Sequence, residues 1–157
     1  MKKKILLIDD DEVETGLLCR LLDRSGFEVL VSNSSPQSVQ LVREYDPGIV
    51  ILDLMMPDMS GWEVCKEIRR FSYVHIVIFS AVSESTSVAK AIFAGADYYF
   101  PKPTPITVLV DYLNNEVNSG SGEMIKMSVP SILQDVYPMS AMMSRWNNQH
   151  VQTLSKK

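Results

Sequence analysis

Apolar residues along the first 118 positions alternate between two periods, and the alternation is regular. Lys4–Ile8 is a short, branched, apolar run of the kind buried on both faces of a parallel sheet. Val13, Leu17, Leu18, Leu21 and Leu22 then recur at helical spacing and stop at Ser25-Gly26, a favourable helix end. Glu28–Ser32 predicts a second strand. Ser35-Pro36 opens a helix that carries Val39, Leu41 and Val42 and ends at Asp46-Pro47-Gly48. Ile49–Leu52 is the most apolar run and is expected at the centre of the sheet. After a loop at Met55–Ser60 comes a helix with Trp62, Val64, Cys65 and Ile68. Ile76–Phe79 predicts the fourth strand, and Val88, Ala91, Ile92 and Ala94 a helix that ends at Gly95. Tyr98–Phe100 predicts a short fifth strand. Pro105 then begins a last helix with Ile106, Leu109, Val110, Leu113 and Val117 on its apolar face. Five strand–helix pairs with short connections require right-handed crossovers and a sheet covered on both sides. The predicted fold is a doubly wound α/β domain around a five-stranded parallel sheet.

The chain of 157 residues is 46% hydrophobic, enough for one compact domain with a modest extension and too little for two full-sized domains. The (βα)5 pattern fills residues 1–118, Ser-Gly-Ser-Gly at 119–122 reads as a flexible linker, and 123–157 as a short helical tail. In the tail, Met139, Met142, Met143, Trp146, His150, Val151 and Leu154 fall along one helical face, and five of the nine methionines lie there. Such a helix either docks on its own domain or contacts a partner or a second copy. Charge changes sign across the linker: 11 basic against 17 acidic residues before it, 4 against 2 after it. A net charge of −4 gives no electrostatic case for direct nucleic-acid binding, and the tail is too short and too weakly basic for a winged helix. The longest apolar runs are too short to cross a bilayer, and Asp9–Asp11 interrupt the run behind Lys2–Lys4 before it could serve as a signal peptide. A cytoplasmic protein that does not engage a membrane is expected. Cys19 and Cys65 form no CxxC pair and are expected to be packed thiols.

In open sheets of this kind ligands sit at the carboxyl ends of the strands, so polar residues just after a strand carry the chemistry. Asp9 and Asp10 follow the first strand and Asp53 the third. Crowded carboxylates repel unless protonated or joined by a cation, and hard oxygen ligands suit Mg2+. Asp11 is expected to cap the helix that follows. Ser80 follows the fourth strand, and Lys102 follows the fifth, a mobile cation able to reach the same pocket. Carboxylates that can hold a metal, a hydroxyl and a lysine converging on one point are what phosphoryl transfer requires. Other chemistries lack their signatures. No GxGxxG follows the first strand, and no GxxxxGK[ST] occurs. Asp53 is followed by Leu54 and Met55 rather than by the Asp-x-Asp of haloacid-dehalogenase-type phosphatases.

With Ile5-Leu-Leu-Ile-Asp-Asp-Asp11, Ile51-Leu-Asp-Leu-Met-Met-Pro-Asp-Met-Ser-Gly61, Ile78-Phe-Ser-Ala81 and Phe100-Pro-Lys-Pro103, the sequence resembles a two-component response-regulator receiver domain of the chemotaxis type. The resemblance covers about residues 1–118 and implies a flavodoxin-like fold. It implies that Asp53 is the phosphoacceptor, that Asp10 binds Mg2+ directly and Asp9 through water, and that the Met55 backbone carbonyl is a further ligand. It also implies that Ser80, in place of the commoner threonine, hydrogen-bonds the phosphoryl group, and that Lys102, before a cis proline, pairs with it. Ser80 and Tyr99 fall at the switch positions, with Tyr99 expected to turn into space that Ser80 vacates. Such a protein is a signalling module rather than an enzyme acting on a separate substrate, though it catalyses its own aspartyl phosphorylation and dephosphorylation. Its partners would be a histidine kinase or phosphotransfer protein and a downstream protein target or a second copy of itself. Met55 and Val82 are expected to border the pocket and slow hydrolysis. Two alternatives stand beside this reading: a scaffold or dimerisation module without regulated phosphorylation, and a truncated transcription regulator.

Overall fold

A computed structural model describes residues 2–118; the linker and the helical tail expected from the sequence lie outside the described residues. Ten elements alternate strictly: β1 (Lys4–Ile8), α1 (Glu12–Arg24), β2 (Glu28–Ser32), α2 (Ser35–Tyr45), β3 (Ile49–Leu52), α3 (Gly61–Arg69), β4 (His75–Ser80), α4 (Ser85–Ala94), β5 (Tyr98–Pro101) and α5 (Ile106–Asn118). The strands form one parallel sheet in the order β2-β1-β3-β4-β5, with β3 in the middle as its uninterrupted apolar run requires. β4 gains one residue at each end of its apolar run, His75 and Ser80, and β5 gains Pro101. Ser80 and Pro101, which pair with each other, extend the ladder to the edge where the polar residues emerge.

Alternation along the strands divides the interior into two layers. Ile5 and Leu7 of β1, Ile49 and Ile51 of β3 and Val77 of β4 pack with Leu18 and Leu22 of α1 and Leu109 and Leu113 of α5. Leu6, Ile8, Val50, Leu52, Ile76 and Ile78 point the other way and are fully buried, as are Val64, Cys65 and Ile68 of α3. Cys65 is thus a packed thiol, and burial pushes its pKa up to about 12.

Two of the helical-period residues of α1 do not join the core. Val13 is 84% and Leu17 60% exposed, while Thr15, Leu18 and Leu22 make the buried stripe. Residues 15, 18 and 22 follow the three–four spacing of one helix face, and positions 13 and 17 lie well round the cylinder from it. Asp11 caps the helix, its Oδ1 accepting from the N–H groups of Val13 and Glu14 at 2.9 Å each. Gly26, with φ 95°, takes the left-handed position that releases the chain into β2.

The difference between stripe and surface is measurable. Leu22→Ala, at a fully buried site, lowers stability by about 2–5 kcal/mol in urea unfolding. Leu17→Ala, at an exposed site on the same helix, changes it by less than about 0.5 kcal/mol.

Candidate functional site

Strand order and register bring the polar residues together. β1 and β3 are neighbours with Ile8 opposite Leu52, so Asp9 and Asp53 leave the sheet side by side. Each strand end is held by one more ladder bond. Asp9 N–H donates to the Ser32 carbonyl at 3.2 Å, Asp53 N–H to the Ile8 carbonyl at 2.9 Å, and Lys102 N–H to the Ser80 carbonyl at 2.8 Å. Backbone pairing therefore fixes where these side chains begin, before any side-chain interaction acts.

Ligand oxygens of Asp9, Asp10 and Asp53 lie within 4.8 Å of one another. Asp9 and Asp53 are 5% and 8% exposed, so water screens their repulsion poorly, while Asp10 stands in the open. Asp9 Oδ1 accepts from Asp11 N–H at 2.9 Å, and Asp53 Oδ1 from Leu54 N–H at 2.8 Å, which orients both carboxylates. Burial raises the Asp53 carboxyl above the ordinary carboxylate value; the Ser80 hydroxyl and the Lys102 charge pull it down, and the Asp9 charge pushes it up. A buried, oriented, all-oxygen cluster with one exposed member suits a hard divalent cation that keeps some of its water.

Lys102 reaches the cluster as the sequence predicts, but it does not stand on Asp53. Its Nζ lies 2.7 Å from Asp9 Oδ2 and 2.8 Å from Glu14 Oε1, and 5.2 Å from the centre of the Phe79 ring. Burial draws its pKa down, and the hydrogen bonds to Asp9 and Glu14, with the charges of Asp9 and Asp53, more than offset this, leaving it above the usual lysine value. The Lys102–Pro103 peptide is cis. Ser80 is fully buried at the end of β4, and its Oγ accepts from Val82 N–H at 3.4 Å, which places that backbone beside the hydroxyl. Tyr99 is 6% exposed with its hydroxyl donating to the Ser80 carbonyl at 3.4 Å, so the ring is already inside. Burial, with the Asp53 charge added, pushes its pKa up to about 12. Met55 is 61% exposed in the loop after β3.

Three contributors were not legible beforehand. Glu14 and Thr15 lie in the first turn of α1, where sequence alone offers helix-dipole and capping roles. Asn33, after β2, donates its Nδ2 to the Asp9 carbonyl at 2.7 Å and to Thr15 Oγ1 at 3.2 Å, bracing the Asp9 backbone from the neighbouring strand end. Its place after a strand is the signal that could have found it. His75 sits at the opposite end of β4, its Nδ1 3.7 Å from Asp97 and its Nε2 2.8 Å from the Tyr112 hydroxyl.

This arrangement defines a class. Residues 5–114 match the response regulator receiver domain family, and the chain belongs to it. The chain is 34% identical over 137 residues to the DNA-binding response regulator MtrA of Mycobacterium tuberculosis (strain ATCC 25618 / H37Rv), covering 87% of this chain and 60% of that protein. It is 32% identical over 117 residues to the chemotaxis protein CheY of Halobacterium salinarum, covering 73% of this chain and 97% of that protein. A crystal structure of a two-component response regulator from Clostridium difficile shares the fold with a TM-score of 0.73 at 24% identity, over 76% of this chain and 100% of that one. The chain thus spans about three-fifths of the length of the MtrA proteins it matches and nearly the whole of the chemotaxis protein. No helix among the described residues is long and apolar enough to cross a membrane.

Two expectations follow from the geometry. Gly61 opens α3 where a Cβ would stand 2.1 Å from the Asp53 carbonyl oxygen and 2.8 Å from Leu54 Cα, so Gly61→Ala must displace the Asp53 segment. A loss of about 1–3 kcal/mol in urea unfolding is expected. Asp53 carries a raised folded-state pKa, so its ionised form opposes folding at neutral pH; that penalty is absent below the unfolded value near 3.8 and sets in as pH rises through the folded value. Asp53→Asn therefore raises the thermal midpoint at pH 7, by an amount that shrinks as the pH is lowered into the carboxylate range.

Proposed function

We propose that Asp53 is the phosphoacceptor of a two-component phosphorelay, and that its modification switches protein–protein contacts. The observation that carries this is the acidic trio with Lys102 at its edge: an acceptor carboxylate at a strand end, two carboxylates able to hold a cation, and one ammonium within the same few ångströms. The donor would be a phosphohistidine on a histidine kinase or phosphotransfer protein. An Asp53 oxygen forms a bond to phosphorus as the phosphorus–nitrogen bond breaks, and the histidine keeps the electron pair. Asp9, Asp10 and Asp53, with the Met55 carbonyl, would hold Mg2+, which when bound offsets charge on the transferred oxygens.

The chain's own residues supply the rest. Asp53 is aimed by the Leu54 N–H, and the closely packed Gly61 keeps the loop after β3 tight beneath it. Lys102 leaves Asp9 to pair with the new dianion, and the Ser80 hydroxyl donates to it. Ser80 and Tyr99 are the switch pair. The Tyr99 hydroxyl rests on the Ser80 carbonyl, so a shift of Ser80 alters what holds the ring and with it the surface around β5. Met55 and Val82 would border the approach to Asp53 and restrict attacking water. We place the protein in the cytoplasm with its kinase. A second reading, favoured by the match to the MtrA proteins, is that the chain is the receiver of a regulator whose other part binds DNA.

Incubation with a small-molecule phosphodonor and Mg2+ should add one phosphoryl group at Asp53, detected by intact mass and by acid-stable trapping of the acyl phosphate. Modification should require Mg2+ and vanish in Asp53→Ala. A wild-type protein indistinguishable from Asp53→Ala would sink the proposal.

A further inference from the structure

Glu14 stands in the first turn of α1, where an acidic side chain is ordinarily accounted for by the helix dipole. Here its Oε1 lies 2.8 Å from Lys102 Nζ, and Asp9 Oδ2 lies 2.7 Å from the same nitrogen. The lysine side chain is 15% exposed and that of Glu14 37% exposed, so the ammonium is the more deeply set of the two. The two carboxylates differ in one respect that matters: Asp9 belongs to the trio able to hold a metal, and Glu14 does not. Lys102 therefore bridges the site and a counter-charge just outside it.

That geometry creates a competition. A divalent cation entering the trio contests Asp9 with the ammonium, directly or through a water it carries, because both draw on the same carboxylate. A poorly solvated ammonium stripped of one partner is stable in place only if another remains. With Glu14 present, Lys102 keeps a charged hydrogen-bond acceptor at the rim. With Glu14 neutralised, it clings to Asp9 or crosses to Asp53, and either position opposes the incoming cation.

We propose that Glu14 is a positioning residue that acts through Lys102: it retains the ammonium at the rim when a divalent cation takes Asp9, and thereby raises the affinity of the acidic trio for that cation. The inference rests on the part of the proposed function that reads Asp9, Asp10 and Asp53 as a cation site. It concerns the resting protein, before any phosphoryl group is present.

The test is Mg2+ binding measured by calorimetry on the full chain at about 0.15 M ionic strength, where through-space attraction between exposed charges is screened beyond roughly 8 Å. Glu14→Gln should weaken Mg2+ binding about three- to tenfold, the range expected for losing one partly exposed ion pair from a site it supports. Glu14→Asp, which keeps the charge on a shorter stem, should recover part of that loss and guards against a folding defect in the neutral variant. The deciding measurement is the double-mutant cycle. In a Lys102→Gln background, Glu14→Gln should change Mg2+ affinity by less than about twofold, because the group it acts through is gone. Unchanged affinity in Glu14→Gln alone, or a loss of equal size in both backgrounds, overturns the inference, as does a wild-type chain that binds no Mg2+. Phosphodonor treatment of the same samples separates the two proposals. Mg2+ binding with the expected cycle but no modification of Asp53 would remove the phosphoacceptor reading and leave Glu14's role standing. Modification of Asp53 with a flat cycle would do the reverse.

Discussion

Carboxylates of like charge crowd the carboxyl ends of β1 and β3, two adjacent strands, and the rest of the site is arranged to tolerate them. Asp9 and Asp53 are almost wholly buried, and the backbone N–H groups of Asp11 and Leu54 hold one oxygen of each. That is the cheapest available support in such a place, because an oriented N–H stabilises a carboxylate without adding another titratable group. It is not sufficient, since Asp53 still sits above the ordinary carboxylate value. Lys102 reaches across from β5 to one of these carboxylates, Asp9, at 2.7 Å.

The surrounding structure is stiff where that imbalance has to be held. Asp53 is anchored to the Ile8 carbonyl on one side, and the loop after it is closed by Gly61 N–H on the Leu54 carbonyl at 3.1 Å, with no room for a Cβ between them. Asp9 is braced from β2 by the Asn33 side chain. Lys102 and Ser80 share a backbone hydrogen bond across β4 and β5, and the Tyr99 hydroxyl rests on the same Ser80 carbonyl. Ser80 thus touches Tyr99 through its carbonyl, and Lys102 touches α1 through Glu14 at 2.8 Å.

Alternating apolar periods announced all ten elements of the described residues, because a strand buried on two faces and a helix buried on one leave unlike patterns in the chain. The ends were less legible. Ser80 and Pro101 complete their strands although one is polar and the other lacks a backbone N–H, since what extends a strand is ladder pairing with a neighbour. Val13 and Leu17 looked like core residues by spacing and are solvent-facing, because which of two possible stripes a helix buries is settled by the sheet it lands on.

The sequence by itself determined which residues could do chemistry here: carboxylates, a hydroxyl and a lysine placed immediately after apolar strands can only emerge at one edge of a parallel sheet. Tertiary structure alone decided how those residues are paired. Glu14 and Lys102 are separated by most of the domain in the chain, and only the placement of β5 and α1 at that edge brings their charges to 2.8 Å. Charge pairing is a matter of distance in space, and periodicity along a chain carries no record of it.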